Sequence, residues 1–381
     1  MEYHVDMNSR EDLSPVRDVI LGKRDDAKRY SMLRLPSIAS AFGRKVIDSV
    51  HKWINLGQRA FSITSGTSGS GLLWNSTSAT ADLTINSADI GKLRPGHVLL
   101  LPDSANEIVV VKTVNTVDNT IEVYGRGHGD SAGAAQSTSA FTIKVIGIAD
   151  VEGSAPSESY FQGGTEKTNY VQTFEDVIVV SREAQLSQWF DGGNFINGIL
   201  EIKMMEQLRL LNSALIYGLA VNDTTNKVKT MGGIRQYNSV TSNVAGAITI
   251  PGFYTALEAH MSAGLYPSAI HGSINAISAI EQLFNAGLTT KSVEIFGGQS
   301  VLAIRAMGYE IELHVDQDMK SDEAYIMDYN RCAYGPLEGQ GSGDWALYDV
   351  YDDGKRVGKQ LVGYFTAQFM NGGTTKMYGI S

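Results

Sequence analysis

Between Asp191 and Gly218 the chain reads DGGNFINGILEIKMMEQLRLLNSALIYG, and its apolar residues recur at intervals of three and four. Phe195, Ile196, Ile199, Leu200, Met204, Leu208, Leu211 and Leu215 therefore stack along one stripe of a helix. Glu201, Lys203, Glu206 and Arg209 fall on other faces, with Lys203–Glu206 and Glu206–Arg209 spaced for i,i+3 contact. A side-chain oxygen of Asp191 or Asn194 is placed to cap the first turn, and Gly218 to end the last one with a positive φ. No proline interrupts the run. At about 1.5 Å per residue the expected rod is roughly 35–40 Å long, double an ordinary globular helix. Its expected packing stripe is Ile196, Leu200, Met204, Leu208, Leu211 and Leu215.

Other periods surround it. ADLTIN, HVLLLP, EIVVVKTV, TIEVY and FTIKVIGI, within residues 81–148, are short, β-branched and partly alternating, with Pro95-Gly96 and Asp118-Asn119 as turns. They predict a small antiparallel barrel or sandwich. NYVQTFEDVIVVS (169–181) predicts a strand running directly toward the long helix. Beyond it, Gly232-Gly233 and a strand-like IRQYNSV open an α/β unit with helices at 253–264 and 275–287, each ending in glycine. Strands are expected at SAIHGS, VLAIRAM, YEIELHV and EAYIMDY. The tail predicts a long hairpin turning at Asp352-Asp353-Gly354-Lys355.

The first 53 residues read differently. Arg17, Lys23, Arg24, Lys28 and Arg29 lie in a mixed-charge run too polar to form a core of its own. After Pro36, Ile38, Phe42, Val46, Val50 and Trp53 recur at helical spacing, so a helix is expected there. Residues 62–80, almost all Ser, Thr and Gly, predict a mobile loop with an apolar tip.

Composition narrows the class. The 381 residues suffice for a large core and two or three units. Forty glycines against eight prolines suit a chain rich in turns. No run is long and apolar enough to span a bilayer, and MEYHVDMNSRED lacks the apolar core of a signal peptide, so a cytoplasm-like compartment is expected. Net charge is −10, unevenly spread. Residues 1–52 hold ten Lys/Arg and eight Asp/Glu, leaving 21 basic and 33 acidic groups in the remainder. So acidic a body argues against direct wrapping of nucleic acid.

Candidate chemistry is sparse. The seven histidines (4, 51, 97, 128, 260, 271, 314) never take metal-ligand spacing, and the single Cys332 excludes an internal disulfide and a cysteine-ligated zinc. Gly66–Gly71 lacks the Lys-Ser/Thr of a phosphate loop, and no Gly-x-Ser-x-Gly elbow occurs. Asp316, Asp318, Asp322 and Glu323 are read as a solvated acidic turn. No catalytic, cofactor or metal residue is assigned.

Five stretches in order carry a resemblance. They are NYVQTFEDVIVVS, the Glu/Arg-studded helix ending in IYG, MGGI, the run holding GYEIELHVDQDM, YIMDYN and GPLEG, and finally LVGYFTAQFMNGG. Together the chain resembles tailed-bacteriophage major capsid proteins of the Hong Kong 97-type fold, in particular the subfamily typified by the phage SU-ten capsid protein. The resemblance implies an α+β fold in five parts. These are an N-arm and helix (1–53), an E-loop region (54–180) with an inserted β-domain (81–148), and a P-domain (181–230) with its spine helix (191–218). An A-domain (231–340) and C-terminal P-domain strands (341–381) complete it. It implies no enzymatic activity and no cofactor. The implied partner is the chain itself, in hexamers, pentamers and an icosahedral shell enclosing double-stranded DNA without sequence-specific binding. A scaffolding protein, a portal and a decoration protein are further implied partners, with assembly in the host cytoplasm and no membrane. The basic N-arm residues are then expected at a subunit interface. A tail or baseplate protein, or a cytoplasmic enzyme with a composite site, stays open on the residues alone.

Overall fold

The computed structural model describes residues 31–55, 62–66, 82–101, 107–125, 141–149, 164–183, 195–238, 240–284, 303–338, 345–352 and 354–380. The chain forms two compact units, one from Met1–Asn55 with Glu166–Ser381 and one from Leu56–Thr165. The flanking strands Val50–Asn55 and Thr165–Tyr170 pair with each other. The inserted unit therefore leaves and rejoins the chain at neighbouring positions.

In the first unit the long helix spans Phe195–Tyr217, 23 residues. Leu200, Met204, Leu211 and Leu215 are buried, and Leu208 packs partly buried against the same cluster. That cluster includes Phe174, Ile178 and Val180 of the strand Gln172–Ser181, the aromatic group Trp345 and Phe365, and Leu361. Gln172–Ser181 pairs antiparallel with Arg356–Phe369, whose other edge takes Ala346–Asp352 and then Cys332–Pro336. Phe174, Trp345 and Phe365 meet with ring centroids 5.1–6.4 Å apart. A Cβ on Gly363 would come within 2.6 Å of two of these rings.

Gly218 departs from its expected role. Its φ is not positive. Instead a Cβ there would lie 2.4 Å from both Ala214 O and Met231 O. The glycine is needed because the MGGI segment crosses against the end of the helix. Gly232 and Gly233 are equally crowded, with Gly233 facing Leu215 O at 2.5 Å. The residues after this crossing, Ile234–Tyr237, are a helical turn and not the start of a strand.

A second sheet runs in the order Val240–Gly246, Thr374–Ile380, Glu323–Met327, Ala269–Gly272, Tyr309–Val315, Ala303–Ala306. One face is covered by the helices Ile250–Ser262 and Ile274–Phe284, through Phe253, Leu257, Ile277 and Ile280. The other face contributes Tyr325 and Met327 to the long-helix cluster. Two strands cross the expected domain boundaries. Thr374–Ile380 joins this sheet, although 341–381 was assigned to the P-domain, and Cys332–Pro336 joins the sheet of the long helix, although 231–340 was assigned to the A-domain. Both depend on pairings between segments far apart in sequence, which local periodicity does not encode.

The helix expected over 37–54 stops early. Ser37 caps Ile38–Phe42 by accepting from Ser40 N at 3.1 Å, and Gly43 ends it in the left-handed region at φ 62°. Val46 then bridges Leu337, and Val50–Asn55 is a strand with His51 and Trp53 inward. The same apolar residues satisfy an alternating pattern once Gly43 has broken the helix.

The inserted unit is a six-stranded antiparallel sheet in the order Ser62–Thr64, Thr142–Ile148, His97–Leu100, Ile108–Asn115, Thr120–Val123, Asp82–Thr84. Its first and last strands are joined by the Ser65–Ile85 bridge, with Gly66 N donating to Thr84 O at 2.9 Å and Asn86 N to Thr64 O at 3.0 Å. The sheet thus closes into a barrel around Ile63, Leu83, Leu99, Val109, Val111, Ile121 and Ile143. Ser62–Thr64 was read as loop and is a barrel strand. Gly66 sits at the seam, where a Cβ would meet Thr84 Cγ2 at 2.7 Å.

Candidate functional site

The acidic residues after Val315 do not form a solvated turn. Asp316 is wholly buried. Its Oδ2 accepts from Ser31 N at 2.9 Å and Ser31 Oγ at 2.8 Å, and Asn212 Nδ2 donates to it at 3.1 Å. Its Oδ1 accepts from Asp318 N at 2.9 Å. Asn212 in turn accepts from Met32 N at 3.1 Å. A buried carboxylate persists when donors surround it, and these come from three segments: the 3-10 turn Ser31–Arg34, the long helix and the strand end at Val315. Asp318 instead takes both Nε and a terminal nitrogen of Arg209, at 2.9 and 2.6 Å. Arg209 was expected to face Glu206; Lys203 takes that partner, at 2.9 Å. Glu323 holds Lys376 at 2.7 Å and accepts from Tyr325 Oη at 3.2 Å.

A second buried polar group ties the strand before the long helix to the MGGI crossing. Asn169 Nδ2 donates to Gly232 O at 3.0 Å and Ala367 O at 2.8 Å, while its Oδ1 accepts from Gly232 N at 2.7 Å. Asn169 is fully buried, so the amide satisfies backbone groups that would otherwise be stranded.

The histidines within the described residues are all buried: His51, His97, His260, His271 and His314. Burial lowers the pKa of His51, His260 and His314, and that of His271 most deeply. Among the described residues no group of three His, Cys, Asp or Glu is placed to hold a metal ion. Burial likewise raises the Cys332 thiol, which donates to Gly373 O at 3.4 Å. Tyr237, donating to Thr168 O at 2.5 Å, is pushed up to about 12 by burial. Among the described residues no helix is long and apolar enough to cross a membrane.

The outward faces keep apolar residues. Val177 and Val179 project from the strand opposite to the long helix, and Tyr348 and Val350 are exposed on Ala346–Asp352 of the same sheet. Leu219, Val221 and Val228 are exposed at the hairpin Val221–Asp223/Val228–Thr230. Ile202 and Leu210 are exposed on the long helix itself. Of the residues singled out in sequence, Leu200, Met204, Leu208, Leu211 and Leu215 share one packed cluster. The side chain of Ile196, and Arg17, Lys23, Arg24, Lys28 and Arg29, lie outside the described residues. Sequence reasoning missed Ser31, Asn169, Asn212 and Asp316. Their only local signal is polarity inside or beside apolar runs.

A long helix laid across a sheet, a barrel carried on paired strands and apolar outward faces are the parts of a structural building block. Residues 31–375 match the family described as the SU10 major capsid protein. The chain belongs to that family: it is a major capsid protein of a tailed bacteriophage, a non-enzymatic component of the icosahedral head. With the family shown, this α+β architecture is the Hong Kong 97-type capsid fold. Solved structures similar to it include the cyanophage A-1(L) capsid asymmetric unit, at 13% identity and TM-score 0.44, covering 61% of this chain and 85% of that one. The holo-SrpI encapsulin complex of Synechococcus elongatus PCC 7942 gives 13% and 0.43, covering 58% and 78%. The capsid of Myoviridae phage XM1 gives 10% and 0.39, covering 60% and 81%. At these scores the assignment rests on the family match. Curated proteins provide no match.

Proposed function

We propose that copies of this chain assemble as pentamers and hexamers, with the first unit forming the continuous shell and the barrel carried on the E-loop. In this reading the long helix and its Leu200/Met204/Leu208/Leu211/Leu215 stripe make each subunit rigid, and Ile196 extends the stripe. The basic N-arm residues Arg17, Lys23, Arg24, Lys28 and Arg29 bind an acidic surface of a neighbouring subunit. A scaffolding protein, a portal and a decoration protein are its further partners, and double-stranded DNA is enclosed without sequence-specific contacts.

The observation that carries this reading is the family match over residues 31–375. The outward apolar residues of the first unit support it, because grouped exposed apolar surface marks interaction faces. Size-exclusion chromatography of the expressed chain tests it. Pentamers, hexamers or shells are expected, and a small closed oligomer at all concentrations would reject it.

A further inference from the structure

His271 and His314 occupy directly paired positions on the neighbouring parallel strands Ala269–Gly272 and Tyr309–Val315. Their rings lie 4.8 Å apart between centroids, and both side chains are buried. His271 Nε2 lies 2.9 Å from Tyr329 Oη, and His314 Nε2 lies 3.0 Å from Glu312 Oε2. His271 Nδ1 is buried with no hydrogen-bond partner. A neutral ring tolerates such a place, whereas a charged one leaves an N–H unpaired beside a second imidazole.

The charges around the pair come from several elements. Arg34, at the end of the turn Ser31–Arg34, lowers the proton affinity of both rings by its positive charge. Glu312 lies on the strand of His314 and opposes that effect there. Tyr325 pairs with His271 on the antiparallel side, and its hydroxyl is committed to Glu323, itself bound to Lys376. Beyond that strand, Asp328 accepts from Tyr266 N at 3.1 Å and pairs with Arg331. Two residues past His314, Asp316 holds Ser31. The turn is further attached through Tyr334 Oη, which donates to Leu33 O at 3.3 Å, and through Asn212. The turn carrying Arg34 is therefore fastened by neutral and anionic acceptors, next to two rings that acid would make cationic.

We propose that the His271–His314 pair is an acid-operated release for the Ser31–Arg34 turn. Protonation places two new positive charges beside Arg34, and the turn detaches while the central strands stay folded. The sign follows from burial. Both rings bind protons less readily in place than their ordinary value of 6.5. The attached state is therefore fully favoured above that value and loses ground as pH falls below it, toward the lowered values. Each unit of depression in a ring makes release about tenfold more favourable once acid is sufficient.

Hydrogen exchange on the full-length chain tests this, with rates corrected for intrinsic pH dependence and compared at about pH 7.5 and about pH 5. The reporters are the amides of Ser31, Met32 and Leu35, which donate to Asp316, Asn212 and Met32 O. In the wild type their protection should fall by about tenfold or more, while Ala269–Gly272 and Glu323–Met327 remain protected. The double variant His271→Gln/His314→Gln should lose this pH response, and Arg34→Met should reduce it. Unchanged protection of the wild type overturns the proposal. So does a double variant that follows the wild type, since acid would then act through Asp316 or Glu312. Should the double variant not fold, an Arg34→Met response equal to the wild type's overturns it equally.

Discussion

Ser31 and Asp316 lie 285 positions apart, yet Ser31 donates both its backbone N–H, at 2.9 Å, and its hydroxyl, at 2.8 Å, to one carboxylate oxygen of Asp316. This contact fixes the point at which the N-terminal segment joins the folded unit. Asn212 brings the long helix to the same carboxylate.

Removing the carboxylate should therefore cost far more than removing the hydroxyl. Asp316→Ala strands the donors of Ser31, Asn212 and Asp318 and should destabilise the subunit by about 3–5 kcal/mol. Ser31→Ala keeps the backbone bond and should cost about 1 kcal/mol. Urea denaturation of unassembled subunits measures both, and equal losses would mean that the seam is not shared as described.

The glycines make a graded prediction. Gly218→Ala sets a methyl 2.4 Å from two backbone carbonyls, which cannot swing aside. Gly363→Ala meets the Phe365 and Trp345 rings at 2.6 Å. Overpacking of this kind costs about 1–3 kcal/mol, with Gly218 at or above the upper end. Gly91→Ala, with nothing within 4 Å, should show no steric penalty. Thermal unfolding midpoints should fall in that order.

On the long helix, Leu215→Ala should cost about 2–5 kcal/mol, because Leu215 is fully buried in the main cluster. Leu208→Asp places a charge at a partly buried position of that cluster and should leave the subunit insoluble or unassembled. Leu210→Asp, on the exposed face, should fold normally. Soluble yield and circular dichroism distinguish the three. Regular shells from Leu208→Asp would contradict the packing role of the helix.

The helix was legible because its stripe is local: residues three and four apart suffice to predict one buried face. The tail hairpin was legible for a similar reason, since Gly354 adopts φ 77° within the expected turn. The 37–54 segment misled because Ile38, Phe42, Val46, Val50 and Trp53 fit a helical period, while Gly43 ends the helix after one turn and leaves a strand. Asp316 misled because its partners come from positions 31 and 212, and a carboxylate's burial is decided by distant donors. The barrel strands were legible one by one, but their closure depends on the Ser65–Ile85 bridge inside a Ser/Gly stretch that has no apolar period.

The N-terminal arm yields a truncation test with a sharp boundary. Met32 and Leu35 are buried in the main cluster, so deletion of residues 1–35 should destabilise the subunit. Deletion of 1–30 should leave a folded protein that assembles poorly or into particles of mixed size. Charge reversal at Lys23, Arg24, Lys28 and Arg29 should act like the shorter deletion. Raised salt should weaken wild-type assembly, since exposed ion pairs are screened, and hardly affect the deletion. Light scattering across ionic strength reads this out. Identical particles from wild type and the 1–30 deletion would end the role given to the arm.

The most direct test of the account is an electron cryomicroscopy reconstruction of particles formed by the full-length chain with its scaffolding and portal partners. An icosahedral shell is predicted, built from pentamers and hexamers, with the helix Phe195–Tyr217 within the shell layer and the barrel on or near its outer surface. A tube, a baseplate-like ring, or a shell in which the barrel strands merge into the sheet of the long helix would contradict it.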